Sequence, residues 1–457
     1  MLQYMFSVLH LILDKNAFGF RGYIIRKAFK ANFKFEDQKT IGKCILETLP
    51  ENGDISVYIH FPFCRSLCPA CPYVRYLYDG SLVEKYVEAI KMEITLYGKL
   101  LKDRGISISD IHVGGGTPSL LSPSQYREIL NCLSEFFDLK SDFDYGIEAN
   151  PNDINEDYLF KLRDARVNKL SIGVQSFNDS NLKMLGRIHN SNDNVKAIEN
   201  ALKVDFKLIN IDMMYFLPNQ SLDNWINDIK MATEFNVTQV TLYPLLIVHY
   251  RPMYKLMMNG KIPKQPEKKV FKIMYGEAMK VLRERGFLPI RYYSFSRTIR
   301  EYSTVEREMV GPLIAFGSGG MGFTGGCEYV NTCFPTEYIK TVIDNRFPIA
   351  GLRMVDVKER AIRYVQERLG ALKLSFQDFK NMFNEDFHSL IGKTGLKYSL
   401  YIDKLLGNIK TYSWGIELTE KGMFARNWSG WAFVLLVPCG IVEKYLVEPW
   451  PKSVIVP

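Results

Sequence analysis

The sequence predicts an α/β protein, with a partial six-unit (β/α) barrel followed by a smaller, mostly helical C-terminal domain. From residue 55 onward, short β-branched runs alternate with helix-like stretches, which is typical of βα units on a parallel sheet. The alternation stops near residue 250, where prolines and lysines indicate a linker. The 457 residues also exceed what one hydrophobic core usually holds, so two or three structural units are expected.

Six strands are predicted in the barrel region. They are Ile55–His60, Ile111–Val113, Asp144–Glu148, Lys169–Gln175, Ile209–Tyr215 and Val240–Leu245. Helix-like segments separate them, among them Val83–Leu96, Pro123–Phe137 and Leu222–Phe235. Unusual residues lie at or just past the C-terminal end of each strand, where the loops of a (β/α) barrel converge on its active site. Six units instead of eight leave the mouth of the barrel wide.

The chain divides into four predicted parts. They are an N-terminal helical extension (1–50), the barrel (51–250), a linker and barrel-completing segment (251–350) and a C-terminal domain with an apolar tail (351–457). The extension can form an amphipathic helix over Val8–Lys30. The third part contains a Gly-rich stretch, Gly317–Gly326.

Two short segments near the C-terminus carry their own predictions. Ile416–Gly422 is typical of a short strand followed by a helix start. Trp431–Val442 is apolar but, at 12 residues, too short to span a bilayer. A buried strand or the end of a helix is favoured for it, and a dip into a membrane is the alternative.

Composition excludes several classes of protein. Hydrophobic residues make up 47% and charged residues 24%, which is ordinary for folded soluble proteins. The net charge of +8 is spread along the chain, so no nucleic-acid partner is expected. Eight cysteines are too few for a disulfide scaffold of this length, which favours a reducing, cytoplasmic location. The apolar run Met1–Leu13 lacks the features of a secretory signal.

Three of the cysteines lie within eight residues, in the order Cys64-Arg-Ser-Leu-Cys68-Pro-Ala-Cys71. A loop with this spacing can wrap three thiolates around one inorganic cluster. A [4Fe–4S] cluster normally takes four cysteines, so a three-cysteine loop leaves one iron for the amino and carboxylate groups of S-adenosylmethionine (SAM). Zinc, with His60 as the fourth ligand, is one alternative. Three unrelated buried cysteines are the other.

Polar and glycine residues follow the other strands. The run Gly114-Gly115-Gly116-Thr117-Pro118 would let backbone approach a ligand closely, although a plain tight turn would use the same residues. The remaining candidates are Glu148, Gln175, Arg187 and Asp212. Each has an ordinary alternative, as a helix cap, a satisfied core residue or a surface arginine. Their repeated place at strand ends favours a shared ligand.

These motifs together resemble a known group. The segments YIHFPFC from Tyr58, GGGTPS, IEANP, SIGVQSF, LGRIHN and IDMMYFLPNQS, with the cysteine triplet, are similar to radical SAM proteins of the oxygen-independent coproporphyrinogen III oxidase family. The resemblance runs from Val57 to Leu245 and continues more weakly through Ala315–Gly326, Pro335–Pro348 and Leu418–Gly422.

The resemblance implies a partial (β/α)6 radical SAM barrel. It implies a [4Fe–4S] cluster on Cys64, Cys68 and Cys71, one or two SAM molecules, and a low-potential electron donor such as ferredoxin or flavodoxin. The implied cofactor-binding residues are Tyr58, Gly114, Gly115, Thr117, Glu148, Gln175, Arg187 and Asp212. No catalytic residue is assigned.

The sequence departs from the family at the cluster loop. Coproporphyrinogen enzymes carry a further cysteine two residues after the third, where this chain has Tyr73. The position before the third cysteine is usually aromatic in the family and is Ala70 here. Residues 1–45 also show no counterpart of the family's longer N-terminal arm. Porphyrinogen decarboxylation is therefore less favoured.

Three functions follow from these observations. The favoured one is a radical SAM enzyme that ends in C-methylation or C–C bond formation on a small or lipid-like substrate. The alternatives are decarboxylation of coproporphyrinogen III or a related tetrapyrrole, and a heme chaperone that performs no turnover. A peripheral membrane contact through the apolar N-terminal and C-terminal segments is a further hypothesis.

Four other residues have two interpretations each. Cys327 and Cys333 are expected to be structural, with a role as substrate-facing thiols as the alternative. His189 and His249 are expected to be satisfied histidines, with heme ligation as the alternative.

Overall fold

The computed structural model describes residues 31–248, 250–302 and 309–456. The predicted helix over Val8–Lys30 and the residue His249 therefore lie outside the described residues.

The described strands are numbered here in chain order. They are β1 (Ala31–Lys34), β2 (Asp54–Phe61), β3 (Phe63–Cys64), β4 (Tyr76–Leu77), β5 (Ser107–Gly115), β6 (Asp138–Ala149), β7 (Lys169–Gln175), β8 (Leu208–Tyr215), β9 (Gln239–Pro244), β10 (Leu288–Pro289), β11 (Ser294–Ser296), β12 (Leu313–Phe316), β13 (Met321–Phe323), β14 (Cys327–Asn331), β15 (Ile349–Met354), β16 (Lys373–Ser375), β17 (Ile409–Thr411), β18 (Gly415–Leu418) and β19 (Ser453–Val456).

The helices of the same residues are also numbered in chain order. They are α1 (Gln38–Thr48), α2 (Gly80–Leu101), α3 (Pro123–Ser134), α4 (Glu156–Asp164), α5 (Asp179–Met184), α6 (Ser191–Leu202), α7 (Leu222–Glu234), α8 (Pro252–Met258), α9 (Lys268–Glu284), α10 (Pro335–Ile343), α11 (Val357–Gly370), α12 (Phe376–Phe383), α13 (Phe387–Gly392), α14 (Leu396–Leu405) and α15 (Glu420–Tyr445).

The parallel part of the main sheet forms the predicted partial barrel. Its strands lie in the order β9-β8-β7-β6-β5-β2-β12, and every neighbouring pair is parallel. All six predicted strands are present, most of them with longer bounds. A seventh parallel strand, β12, lies beside β2 and pairs Ala315 with Tyr58. It was not predicted as a strand because its four-residue run is too short to show a period.

Helices cover the barrel because their apolar faces and caps are encoded locally. In α2, Asp79 accepts the N–H groups of Ser81 and Leu82 and so starts the helix. Ser122 and Gln125 form a reciprocal capping box at the start of α3. The buried face of α2 includes Val83 and Ile90, which pack into the main core of the molecule.

Both ends of the described chain join the main sheet. Strand β1 pairs antiparallel with β15 on one side and with β19, the last described strand, on the other. The predicted helical extension over residues 1–50 is therefore wrong for Ala31–Lys34, which form a strand, and right in type for Gln38–Thr48. Strands β1 and β15 are more than 300 residues apart in the sequence, so their pairing leaves no local pattern from which it could be predicted. The predicted divisions at residues 50, 250 and 350 stay predictions.

The C-terminal part is mostly helical, as predicted, around a small sheet of β16, β18 and β17. The predicted strand and helix start at Ile416–Gly422 are confirmed: β18 ends at Leu418, and Thr419 caps α15. Trp431–Val442 lies within α15, so the helix interpretation is right and the strand interpretation is wrong. Ile441 and Val442 are buried. Among the described residues, no helix is both long and apolar enough to cross a bilayer.

Candidate cofactor site

The three cysteines lie on a loop that begins at the end of β3 and is closed by the short β3–β4 pairing. Arg75 holds this loop together because its guanidinium donates to the carbonyl oxygens of Cys68 at 2.9 Å and Cys71 at 3.0 Å. The Cys71 N–H also donates to the Cys68 carbonyl at 3.2 Å. The loop is thus ordered by its own backbone and one arginine, and none of its three thiols forms a disulfide. Sγ of Cys68 donates to the Gly186 carbonyl oxygen at 3.6 Å, and Cys64 is hydrogen-bonded to Thr117.

The thiols share one electrostatic environment. Burial raises the pKa of Cys64 to about 11, and the nearby Cys71 and Cys68 add to this shift. Burial also raises the pKa of Cys71. Thiols that resist ionisation in the free protein become stable thiolates when iron binds them, because the metal supplies positive charge. The donor set therefore fits an iron–sulfur cluster.

The contacts of His60 do not favour a mononuclear zinc site that uses it as a ligand. His60, the proposed fourth zinc ligand, is engaged elsewhere: its Nδ1 lies 3.0 Å from the Tyr58 hydroxyl and its Nε2 lies 3.4 Å from the Val74 carbonyl oxygen.

The glycine run packs tightly against the end of β2. Gly115 has φ +111°, and a Cβ at this position would lie 2.5 Å from the His60 ring. At Gly116 a Cβ would lie 2.7 Å from the backbone carbon of Pro62. A Cβ at Gly114 would press to 3.0 Å from the Glu148 carboxylate. Side chains are thus excluded at these positions because other parts of the protein fill the space. The N–H groups of Gly115 and Gly116 donate to Glu148 and to the Phe61 carbonyl oxygen.

Glu148 lies at the end of β6 and faces the interior of the barrel. It accepts the Gly115 N–H at 3.2 Å and lies 3.3 Å from Nε2 of His112. Burial raises its pKa, but the contacts with His112 and Gly115 outweigh burial, so the pKa of Glu148 falls below its ordinary value. Its side chain is still 44% exposed, and this leaves an ionised carboxylate free to take a ligand's ammonium or hydroxyl groups. Tyr58 stacks on His112 at 5.8 Å and completes this wall.

Arg187 connects the ends of two strands to the cluster loop. Its Nη2 donates to Oδ1 of Asn150 at 2.6 Å and to the Gly173 carbonyl oxygen at 3.1 Å, while its Nη1 lies 4.0 Å from Sγ of Cys68. Asn150 in turn donates to the Thr117 hydroxyl at 3.2 Å. Thr117 and Arg187 are therefore linked through Asn150. The surface interpretation of Arg187 is wrong, because its head group is tied into the site.

Gln175 and Asp212 line the neighbouring strands. Gln175 ends β7 with φ +66°, a conformation that is uncommon for a non-glycine residue and marks the strand end as constrained. Asp212 accepts from Oγ of Ser171 at 3.0 Å and from Nδ2 of Asn210 at 2.8 Å. Burial, and secondly the charge of Glu148, raise the pKa of Asp212 to about 7. The site therefore pairs an ionised carboxylate with one that titrates near neutrality.

Three residues of this site were not predicted from the sequence. His112 and Asn150 position Glu148 and Arg187, and Asn150 stands inside the recognised segment IEANP, which could have revealed it. Tyr302 packs its ring 5.2 Å from His112. Its hydroxyl is buried and has no hydrogen-bond partner among the described residues. Tyr302 comes from an irregular segment, so the sequence held no signal for it.

The cluster loop packs differently at its two departures from the family. Ala70 is buried in a small apolar cluster that includes Leu217 and Met253. Tyr73 is 44% exposed, and its carbonyl oxygen accepts from Arg251 at 2.7 Å. The backbone after the third cysteine is thus fixed, while the position holds a phenol in place of a further thiol.

The structure does not bring Cys327, Cys333 or His189 to the cofactor site as free groups. Cys333 is buried with Phe33 and Val74, and Cys327 is buried in the main core. His189 is buried with Nε2 3.4 Å from the Val174 carbonyl oxygen, and burial lowers its pKa to about 4. These placements agree with the structural interpretations.

Comparison with known proteins agrees with this geometry. Residues 58–232 match the Radical SAM superfamily. The chain is 28% identical over 312 residues to a protein of Bacillus subtilis named heme chaperone HemW, which covers 67% of this chain and 80% of that protein. It is 27% identical over 402 residues to heme chaperone HemW of Lactococcus lactis, which covers 86% of this chain and 97% of that protein.

A solved structure of coproporphyrinogen III oxidase (HemN) from Escherichia coli superposes with a TM-score of 0.74 at 22% identity, covering 90% of this chain and 98% of that one. Residues 58–232 are thus a radical SAM domain, and the fold of the chain is like that of HemN. The predicted α/β fold is confirmed. The cofactors of this domain are a [4Fe–4S] cluster and SAM.

Proposed function

We propose that this protein is a heme chaperone that binds a heme-type tetrapyrrole while keeping the cluster and the SAM site of a radical enzyme. The observation that carries the proposal is the cluster loop. The loop has all three cysteines of the cluster motif, yet it has Tyr73 where the decarboxylating enzymes have a further cysteine. Relatives named heme chaperone HemW extend over most of the chain and support this choice. They give no support to the prediction of C-methylation or C–C bond formation.

The residues divide into two groups by task. Cys64, Cys68 and Cys71 would hold the cluster, and Arg75 keeps their loop in shape. The SAM-facing residues we propose are Tyr58, Gly114, Gly115, Thr117, Glu148, Gln175, Arg187 and Asp212. When bound, the cluster supplies one-electron reduction of SAM. A low-potential ferredoxin or flavodoxin is the electron donor we expect.

Histidine ligation of heme is restricted by the hydrogen bonds of the core. Within the described residues, His60, His112 and His189 are buried and engaged by neighbouring groups. His388 is exposed. Its backbone N–H donates to Asp386 at 2.8 Å, and its ring lies 5.1 and 5.3 Å from the rings of Phe376 and Phe387. An axial ligand is therefore expected from an accessible histidine such as His388, without disturbing the cofactor site.

A catalytic function is the second candidate. The observation that favours it is the carboxyl group of Asp212. Its pKa is raised to about 7 by burial and, secondly, by the charge of the ionised Glu148. A carboxyl group that titrates near neutrality suits proton transfer during turnover. The Radical SAM superfamily match supports an enzyme of this class, with the substrate, whether a tetrapyrrole or another small molecule, left to experiment.

One anaerobic experiment tests both candidates. The reconstituted protein receives SAM, dithionite and either hemin or coproporphyrinogen III, and the products are measured by mass spectrometry and absorbance. The chaperone proposal expects stoichiometric hemin binding, no altered tetrapyrrole and no S-adenosylhomocysteine. Conversion of coproporphyrinogen to a decarboxylated product would overturn it in favour of turnover. S-Adenosylhomocysteine with a methylated product would revive the methyl-transfer hypothesis.

Histidine variants refine the heme test. His388→Ala should weaken hemin binding at least about tenfold, because even loss of an outer partner of a metal ligand costs ~10–100-fold. His189→Ala serves as the matched control because this imidazole is buried against Val174. Equal affinity of His388→Ala and the unmodified protein would exclude His388 as the ligand.

A further inference from the structure

Helix α14 has apolar residues on two opposite faces. Leu396 and Leu400 are buried against the C-terminal unit. Tyr398, Tyr401, Ile402 and Leu405, here called the α14 stripe, are exposed by 65, 63, 40 and 68%. Their spacing of i, i+3, i+4 and i+7 places them on one face of the helix. A short helix thus presents a continuous apolar stripe to solvent, which monomeric proteins rarely do without a partner.

An aromatic pair lies on the hairpin that follows this helix. Tyr412 and Trp414 stack at 5.5 Å with an interplanar angle of 9°, and both are exposed. They occupy the turn between β17 and β18, and α14 packs on β17. Tyrosine and tryptophan are the side chains that favour the boundary between apolar and aqueous phases.

The charges around these residues are mostly positive. Between residues 393 and 414, the charged side chains are four lysines and Asp403, which gives a net charge of +3. Asp403 is buried and accepts from Asn408 at 2.8 Å. Lys404 and Lys410 are exposed and have no carboxylate partner among the described residues. Lys393 is paired with Glu385 at 2.6 Å, so the unneutralised positive charge beside the α14 stripe comes from lysines such as Lys404 and Lys410.

We propose that the α14 stripe and the Tyr412–Trp414 turn dock on an anionic lipid surface. Leucine and isoleucine would enter the acyl boundary, the aromatic rings would lie at the headgroups, and the lysines would reach the lipid phosphates. The inference is independent of the ligand in the barrel and goes beyond the proposed function.

Charge argues against two other occupants. In a dimer formed through this surface, residues 393–414 of two copies, each with a net charge of +3, would face and repel each other. Residues 1–30 contain five Lys or Arg and one Asp, a net charge of +4, so they too would repel the lysines of this surface. An anionic lipid surface complements both the apolar side chains of the α14 stripe and the positive charge of the lysines beside it.

Vesicle co-sedimentation of the full chain tests the proposal. Phosphatidylcholine vesicles with phosphatidylglycerol should bind the protein, and pure phosphatidylcholine vesicles should bind it much less. Tyr401→Ser with Leu405→Ser should lower the partition coefficient at least ~10-fold, because two exposed apolar side chains are lost. Lys404→Gln with Lys410→Gln should lower it about tenfold and reduce its salt dependence. Ile299→Ser, at a residue 99% exposed elsewhere, is the matched control and should bind normally.

A second readout does not depend on the stripe variants. Brominated anionic lipids should quench Trp414 in the otherwise unmodified chain, as shown by comparison with Trp414→Phe. Absence of vesicle binding, absence of this quenching, or unchanged binding of correctly folded stripe variants would overturn the proposal. So would loss of binding on deletion of residues 1–30 alone, or a dimer that the stripe variants dissociate.

Discussion

The barrel interior and the outer face of α14 are opposites in how they place side chains. In the barrel, His112, Glu148 and Asp212 put polar groups where strands normally bury apolar ones. On α14, Tyr401 and Leu405 put apolar groups where a surface is normally polar. Neither placement is favourable for the chain by itself, because buried polar groups need partners and exposed apolar stripes need cover.

The difference teaches which partner each region needs. The barrel holds its polar groups with donors and acceptors of its own, while the Glu148 carboxylate is partly exposed and the Tyr302 hydroxyl has no partner among the described residues. This arrangement suits a small polar cofactor. The α14 stripe is apolar and is bordered by lysines, of which Lys404 and Lys410 are exposed, and this combination suits an extended and fluid surface. Specific hydrogen bonds indicate a defined ligand, whereas an apolar stripe with like charges indicates a surface.

The largest effect is expected at the cluster loop. Cys68→Ala should abolish the cluster and lower SAM cleavage at least ~100-fold, because even loss of an outer partner of a metal ligand costs ~10–100-fold. Iron content and 5′-deoxyadenosine yield measure it. Cys132→Ala, at a half-buried thiol on α3, is the control and should keep both. If Cys68→Ala had the iron content of the unmodified protein, the assignment of the three cysteines as cluster ligands would be wrong.

The next effect concerns Glu93, which joins the barrel to the segment after it. This fully buried carboxyl accepts from Tyr338 at 2.6 Å, from the Gly317 N–H at 2.9 Å and from Asn331 at 2.8 Å. Glu93→Ala should lower the free energy of unfolding by about 3 kcal/mol, because three buried donors lose their acceptor and a cavity remains. Urea unfolding near pH 5 measures this loss.

The pH dependence of the Glu93 effect has a defined sign. Burial raises the pKa of Glu93 from 4.5 to about 7, so between these values the folded state keeps a proton that the unfolded state releases. The stabilisation by Glu93 is thus full below pH 4.5 and declines as pH rises to about 7. The difference between the unmodified protein and Glu93→Ala should shrink over this range. A difference that grows with pH would contradict the assignment.

The sequence predicted local features well and long-range ones poorly. The six barrel strands were correct because β-branched runs are local. The cysteine loop lies after a strand, as predicted, while the cluster on it stays a prediction. Glu93 and Gly317 are 224 residues apart, so their hydrogen bond left no pattern along the chain. The same holds for β1 and β15. The apolar residues of α14 face both ways, and sequence periodicity cannot tell a helix buried on two sides from one with an exposed stripe.

A smaller effect is expected at Asp212, whose pKa is raised to about 7 by burial and by Glu148. We expect the ionised carboxylate to hold a SAM hydroxyl, so Asp212→Asn should weaken SAM about tenfold at pH 8. Near pH 6 the unmodified side chain is mostly protonated and resembles asparagine, so the difference should fall to about twofold. Equilibrium dialysis of the reconstituted protein at both pH values measures it. If Asp212→Asn weakened SAM binding by the same factor at pH 6 and pH 8, titration of Asp212 would be excluded as the cause.

The smallest effect separates a group that the fold satisfies from one that it leaves for a ligand. Tyr302 has a buried hydroxyl without a partner among the described residues, so Tyr302→Phe should leave the free energy of unfolding of the cofactor-free protein unchanged or slightly higher. The same variant should weaken SAM or hemin about fivefold if the hydroxyl faces that ligand. Tyr126→Phe is the matched control, because its hydroxyl donates to the Pro118 carbonyl oxygen at 2.7 Å. It should cost about 1 kcal/mol of stability without affecting affinity. Destabilisation by Tyr302→Phe with unchanged affinity for SAM and hemin would show that the hydroxyl has a partner within the protein. The comparison of the polar barrel interior with the apolar α14 stripe would then depend on Glu148 and Asp212.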